Sequence, residues 1–396
     1  MKKLSKLAIL SISALLLCGC TKLHVPPVGS ESEESESESL GSESEDDMKT
    51  YTINPVSPLN EGTISLAHDD VTEFANNFTY TGSKKYVRDY NHYASKPLSL
   101  QWTCDENAIY YLVELSLNED LSESKTYLCN STTLEVEDAK PGYTYYWRVN
   151  AYLTDKLIRS KIFTFETQQI PYTYQLETVG NFRDMGGFHT FDGKRIKSGM
   201  AFRGANPDSI SAEDKDFLLN NLKIKSEIDL RNKGEGKRGI NVIGVDNYYV
   251  VDDHGGLLYA DYPNGVVYET GRQVLAKEIK LFANRDNYPI YYHCAIGRDR
   301  TGCLALVLNC LLGVEKMSIA LDYEMSLFAY ASTRDVAANI DQVDELVNAI
   351  FYIYNYIYGG YTGDNMQQRT EAFLLDIGVT QEEINTIKDV MLEDIK

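Results

Sequence analysis

The hydrophobic pattern changes character at QQIPYTYQ, residues 168–175. Before it, from about Thr50 to Thr167, apolar residues come in short alternating runs. LSLQW (98–102), YYLVELSL (110–117), STTLEVED (131–138), YTYYWRVNAYL (143–153) and KIFTFET (161–167) are separated by turn residues at the spacing of a β-sandwich. No helix-length periodic segment interrupts them. After the break, strand-like IKSEIDL (224–230), VDNYYVV (245–251) and YPIYYH (288–293) alternate with helical AEDKDFLLNNL (212–222) and ETGRQVLAKEIKLFANR (269–285). That order predicts an α/β body with a central sheet flanked by helices. The chain is therefore multidomain: an all-β sandwich over 50–168 precedes an α/β domain over 176–396, and 396 residues suffice for two cores.

Local signals agree with this division. Ser211 before AEDKDFLL and Thr380-x-x-Glu383 before INTIKDVML are helix-capping patterns. Val336, Ile340, Val343, Val347, Ile350, Tyr354 and Ile357 form an apolar stripe, read as a long helix packed on the sheet in preference to a coiled-coil seam.

Residues 1–20 combine Lys2, Lys3 and Lys6, an apolar run from Leu7 to Leu17 and Leu17-Cys18-Gly19-Cys20. The run is shorter than the about 20 residues that span a bilayer, so the segment reads as an export signal. Its end resembles the lipobox of bacterial lipoproteins, which implies lipidation of Cys20, a lipid-anchored protein at the cell membrane and an outward-facing body. Residues 21–49 read as a disordered Ser/Glu-rich tether. Within them SESEESESESLGSESEDD (30–47) holds nine acids and no base, and cannot bury enough surface to offset chain entropy. The whole chain carries a net charge of −20, which excludes nucleic acid as a partner.

Seven cysteines are too few for a disulfide scaffold. Cys104 and Cys129 share the β body, and whether they are bridged stays open. The six histidines, at 24, 68, 92, 189, 254 and 293, show no paired ligand spacing, so neither a metal nor another cofactor is expected.

The chemistry concentrates in HCAIGRDRTG, residues 293–302. A buried strand precedes it and a buried helix, GCLALVLNCLL, follows, so it is a strand-to-helix turn at a sheet edge, where open α/β sheets bind ligands. Gly297 permits a tight turn, and amides of the loop, with the helix N-terminus, suit a tetrahedral dianion. Arg300 closes the ring with a planar fork. The same field favours the Cys294 thiolate as nucleophile. The Thr301 hydroxyl is expected on that thiolate, and His293 is expected to order the loop. Asp299 is the first candidate for the acid that protonates the leaving oxygen. Asp252, Asp253 and Asp184 are the alternatives, and the competing role for Asp299 is to tie down Arg203 or Arg231.

These residues resemble the signature of the cysteine-dependent tyrosine phosphatases. With VGNFRDMGGF (179–188), GMAFRGANPDSIS (199–211), IKSEIDLRNKGE (224–235), LDYEMSLFAY (321–330) and FLLDIGVTQEEINTIKDVML (373–392), the resemblance is to the bacterial atypical, lipid-phosphatase-like branch, tyrosine phosphatase family 3. It implies a cysteinyl-phosphate mechanism without cofactors. Catalytic roles fall on Cys294, Asp299 and Arg300, and substrate binding on His293, Ala295, Ile296, Gly297, Arg298 and Thr301. Where that branch usually carries lysine, this chain has Arg298, a planar fork in place of a point charge. The implied substrates are phosphoproteins carrying phosphotyrosine or phosphoserine/threonine, or phosphoinositides. An inositol-phosphate phosphatase of phytase type and a pseudophosphatase that binds phospho-ligands without turnover are the other readings. Residues 50–168 resemble a fibronectin type III domain through Trp102 and KPGYTYYWRVNAY (140–152), with Tyr145 as its corner tyrosine.

Overall fold

A computed structural model describes residues 21–23, 52–87, 93–251, 268–328 and 343–395. The export signal with Cys20, the acidic run at 30–47 and Asp252, Asp253 and His254 lie outside them. In chain order the first part carries β1 (Thr21–Leu23), β2 (Ile53–Ser57), β3 (Gly62–Ile64), α1 (Asp69–Asn76), β4 (Leu98–Cys104) and β5 (Tyr110–Ser116). It continues with β6 (Lys125–Cys129), β7 (Thr133–Val136), β8 (Thr144–Tyr152), β9 (Leu157–Arg159) and β10 (Phe163–Thr167). Contacts divide the chain into two compact units. One comprises the described residues up to Ser57 with Ser99–Glu135 and Tyr146–Phe163, the other Pro58–Leu98, Val136–Tyr145 and Thr164 onward.

The first unit is built from antiparallel strands. β5 pairs with β6 through Tyr111↔Cys129 and with β8 through Val113↔Val149, β1 lies on β6, and β2 lies on β4 with a bulge between Pro55 and Ser57. The alternation of β4, β5 and β8 buries Trp102, Val113, Leu115, Trp147 and Val149. Trp147 is wedged between Trp102 and Phe163, with ring centroids 6.3 and 5.2 Å away. Aromatic side chains bury the most area per residue, so these rings dominate the cohesion of this core. No disulfide joins Cys104 and Cys129, so the bridge that the sequence left open is not formed.

In the second unit follow β11 (Arg183–Asp184), β12 (Lys194–Ile196), β13 (Ala201–Gly204), α2 (Ala212–Asp216), β14 (Ser226–Asp229), β15 (Asn247–Val250) and α3 (Glu269–Phe282). Then come β16 (Ile290–His293), α4 (Asp299–Leu312), α5 (Lys316–Met325), α6 (Val343–Gly360), α7 (Met366–Asp376), α8 (Gln381–Met391) and β17 (Leu392–Asp394). The sheet order is β11-β13-β16-β14-β15, with β13, β16, β14 and β15 parallel and β11 antiparallel at the edge. The register aligns Gly204, His293 and Asp229 at the carboxyl ends of the three central strands. All fourteen residues of α4 are buried, as expected of a helix apolar on every side.

The capping signals act as read: Ser211 Oγ accepts from Asp214 N, and Thr380 with Glu383 forms a reciprocal capping box. Of the apolar stripe, Val343, Val347, Ile350 and Ile357 are buried on α6, whereas Val336 and Ile340 fall outside the described residues. AEDKDFLLNNL is helical to Asn221, as an α-helix over Ala212–Asp216 and a wider π-helix over Phe217–Asn221. Asn220 Nδ2 donates to Asp216 Oδ1 at 2.6 Å, one turn earlier. Among the described residues no helix is long and apolar enough to cross a membrane.

One helix contradicts the expectation of an uninterrupted β pattern over 50–168. α1, DDVTEFAN, has only Val71 and Phe74 buried, too short a stripe to register as helical periodicity. Its segment belongs by contacts to the α/β unit, where the Phe74 ring lies 5.2, 5.7 and 5.4 Å from those of Phe78, Tyr86 and Phe328. Phe74→Ala should cost that unit about 3–5 kcal/mol. Both tryptophans, Trp102 and Trp147, sit in the strand unit. The variant should therefore lower the thermal midpoint read by helical circular dichroism and leave the tryptophan-fluorescence transition in place; the opposite pattern would assign the segment to the strands.

Candidate active site

The turn between β16 and α4 is shaped from outside, carbonyl by carbonyl. Ala295 O accepts from Asn206 Nδ2 at 2.7 Å and from Asn206 N at 3.2 Å. Ile296 O accepts from Asn181 Nδ2 at 3.0 Å. Gly297 O and Arg298 O accept from Arg203 Nη2 at 3.0 and 3.4 Å. In a trans peptide the following N–H points opposite to the carbonyl. Drawing the four carbonyls outward thus turns the N–H groups of residues 296–299 to the opposite side. Those of Ile296 and Gly297 meet no acceptor among the described residues. The result is an anion-binding nest at the N-terminus of α4.

Gly297 makes the wrap possible. Its φ is +73°, and an added Cβ would come within 2.3 Å of the Gly204 backbone, so both conformation and space require glycine.

Cys294 is 2 % exposed at the head of this loop. His293 is fully buried, with Nε2 2.9 Å from Glu227 Oε1 and Nδ1 3.1 Å from Cys294 O. Both ring nitrogens are occupied, which suits an ordering role. Arg300 presents two parallel bonds to Glu235, Nη1 to Oε1 and Nη2 to Oε2, each 2.9 Å. Burial raises the Glu235 carboxyl, but the hydrogen bonds and charge of Arg300 outweigh it and hold the group below its ordinary range. Thr301 Oγ1 is buried and meets no hydrogen-bond partner among the described residues, so the contact expected with the Cys294 sulfur is not made.

Asp299 does not hold Arg203 or Arg231. Those arginines have their own acids: Arg203 Nη1 donates to Asp322 Oδ2 at 2.5 Å, and Arg231 binds Asp229 and Asp208. Asp299 instead accepts from Arg298, Nε to Oδ1 at 2.9 Å and Nη2 to Oδ2 at 3.0 Å, and from Tyr323 OH at 3.1 Å. Asp184 is spent elsewhere, accepting from Gly186 N at 2.8 Å and Gly199 N at 2.6 Å, and burial raises its carboxyl to about 6. Its hydrogen bonds do not reach the loop. Asp252 and Asp253 lie outside the described residues.

The tyrosine phosphatase family model matches residues 174–393, more than half of the chain and all of the sheet and loop just described. The chain belongs to the tyrosine phosphatase family. A Cupriavidus necator protein described as a "putative tyrosine-protein phosphatase" is 26 % identical over 168 residues, 37 % of this chain and 60 % of that protein. The match thus spans less than two thirds of its relative. Among solved structures, the core catalytic domain of the PP-IP phosphatase SIW14 from S. cerevisiae in complex with citrate is 22 % identical. It covers 40 % of this chain and 93 % of that one with a TM-score of 0.26. A second structure, of the Siw14 catalytic core, is 20 % identical over 39 % and 88 % with a TM-score of 0.24.

Several residues of this candidate site escape a reading of the sequence, namely Glu227, Glu235, Asn181, Asn206 and Tyr323, which meet the loop from distant segments, and Asp322, which acts on it through Arg203. Glu278 is another. It lies on α3, 2 % exposed, in the electrostatic range of Arg300 and Cys303. Burial raises its carboxyl to about 8, with Arg300 pulling the other way. The sign follows: a raised pKa in the fold favours the neutral acid, so the contribution is complete below 4.5 and is lost as pH rises through about 8. Wild-type unfolding free energy, from urea titrations, should fall between pH 5 and pH 8 by on the order of a few kcal/mol relative to Glu278→Gln. Parallel pH dependences would show that Glu278 is not buried as a neutral acid.

Proposed function

We propose that this protein hydrolyses phosphate monoesters through a cysteinyl-phosphate intermediate. The single observation behind this reading is the outward capture of the four loop carbonyls, which leaves inward amides above Cys294 at a helix N-terminus. The phosphoryl group sits in that nest with Arg300 on its oxygens. Cys294 Sγ bonds to phosphorus, the ester P–O bond breaks, and the leaving oxygen takes a proton from Asp299. Water then bonds to phosphorus, the S–P bond breaks, phosphate leaves, and the proton of the water returns to Asp299. Glu235 keeps the guanidinium plane of Arg300 at the loop mouth, and Ala295, Ile296, Gly297 and Thr301 complete the cradle.

The substrate class follows from charge. Arg298 adds a second fork at the loop, open to the transferred phosphate and to a neighbouring one, which favours phosphoinositides or inositol phosphates alongside phosphotyrosine. Phosphate release across aryl phosphate, phosphotyrosine and phosphoserine peptides, phosphoinositides and inositol phosphates is the test. Cys294→Ser should abolish release on every substrate, and Asp299→Asn should lower it by about a hundredfold or more on poor leaving groups. Turnover surviving in Cys294→Ser would rule out the covalent route. Phosphoinositides and inositol phosphates no faster than aryl phosphate would remove the two-phosphate preference.

We also propose that the protein lies outside the cytoplasm, lipidated on Cys20, with the acidic tether as a spacer and residues 50–168 as a fibronectin type III-like module. Tyr145 OH accepts from Lys140 N at 2.7 Å, the corner hydrogen bond of such modules, which supports that part of the reading. Cys20→Ala should move the protein from the membrane to the soluble fraction on cell fractionation; an unchanged membrane fraction would remove the lipid anchor from the proposal.

A further inference from the structure

Tyr323 on α5 and Gly302 on α4 are fitted to each other. A Cβ added at Gly302 would come within 2.9 Å of Tyr323 Cδ2 and 3.0 Å of Cε2, with Ile350 Cδ1 at 3.1 Å beside them. Any side chain at 302 would push the ring away, so this helical glycine makes room for a neighbour. The consequence is the 3.1 Å hydrogen bond from the phenol to Asp299 Oδ1. Tyr323 is 4 % exposed, and burial, followed by the charge of Asp299, pushes its hydroxyl well above the ordinary value, so it remains a donor. The other charged or titratable groups facing it are Arg298 and Cys303.

The two partners of Asp299 differ in how easily they can leave. Tyr323 is a rigid ring packed against Gly302. Arg298 is a long side chain in the phosphate loop itself, and its guanidinium serves carboxylate and phosphate with the same fork. While Arg298 and Tyr323 both donate to Asp299, the group is an acceptor only. A carboxyl can offer a proton only from an oxygen that no donor occupies.

Building on the phosphatase reading above, we propose that Tyr323 is the positioning residue for the leaving-group acid, the fixed partner of Asp299, while Arg298 is the exchangeable one. A substrate phosphate draws Arg298 onto its own oxygens. Asp299, now without its cation and beside an anion, takes a proton from solvent on Oδ2 while Oδ1 still accepts from Tyr323. The Oδ2 proton is thereby aimed, and passes to the ester oxygen as the P–O bond breaks.

The test compares phenyl phosphate, whose leaving group needs the proton, with dinitrophenyl phosphate, whose leaving group does not. In the full chain Tyr323→Phe should lower kcat about tenfold on phenyl phosphate and within about twofold on dinitrophenyl phosphate. Gly302→Ala, which displaces the ring by a different route, should give the same split. A purely structural tyrosine would lower both substrates equally, and equal losses, or no loss on phenyl phosphate, would overturn the proposal. If Cys294→Ser is inactive while Tyr323→Phe shows no split, this inference alone falls. If wild type releases no phosphate, or Cys294→Ser still does, the phosphatase reading falls and takes this one with it.

Discussion

The shape of the phosphate loop depends on one buried carboxylate. Asp322 receives Arg183 Nε on Oδ1 at 2.8 Å and Arg203 Nη1 on Oδ2 at 2.5 Å, with both arginine side chains 1 % exposed. Burial lowers the Arg183 pKa to about 10, with the charge of Arg203 adding to that fall, and Asp322 counters both. Two cations that close, out of water, are tolerable only because an acid lies between them. Without it the pair would be an uncompensated buried charge, worth about 3–5 kcal/mol. Arg203 thereby spends its Nη2 on Gly297 O and Arg298 O. The electrostatics of α5 therefore become the geometry of the neighbouring loop.

This arrangement explains which parts of the site were legible in the sequence. HCAIGRDRTG states its own chemistry, because a nucleophile, a glycine turn and a phosphate fork must lie within one loop at the end of a buried strand. Its support comes from elsewhere. Asp322 is 119 residues from Arg203, and no local periodicity connects them. The competing role considered for Asp299 failed for the same reason: Arg203 and Arg231 are each satisfied by acids whose proximity only the sheet register creates. The actual partners of Asp299 were an adjacent arginine and a tyrosine inside LDYEMSLFAY.

At the level of the fold, long or strongly patterned elements were read well and short ones poorly. β16 and α4 carry continuous apolar runs and stand where expected. The helix beginning at Ala212 has the predicted length, and only its change from α to π winding at Phe217 leaves no mark in the apolar pattern. α1 was not foreseen, because a helix whose buried face is two residues wide has too little pattern to stand out between strands.

α5 carries a second buried acid beside Asp322 and Tyr323. Glu324 accepts the backbone N–H groups of Thr81 and Ser83 at 2.8 and 3.2 Å. Residues 58–98 thus belong by contacts to the α/β unit, although the family model begins at residue 174. The polypeptide leaves and re-enters that unit twice before the family segment starts. Modules joined end to end can be exchanged in evolution by a single crossover in a linker. Here such a crossover would carry off part of the α/β unit together with the strands.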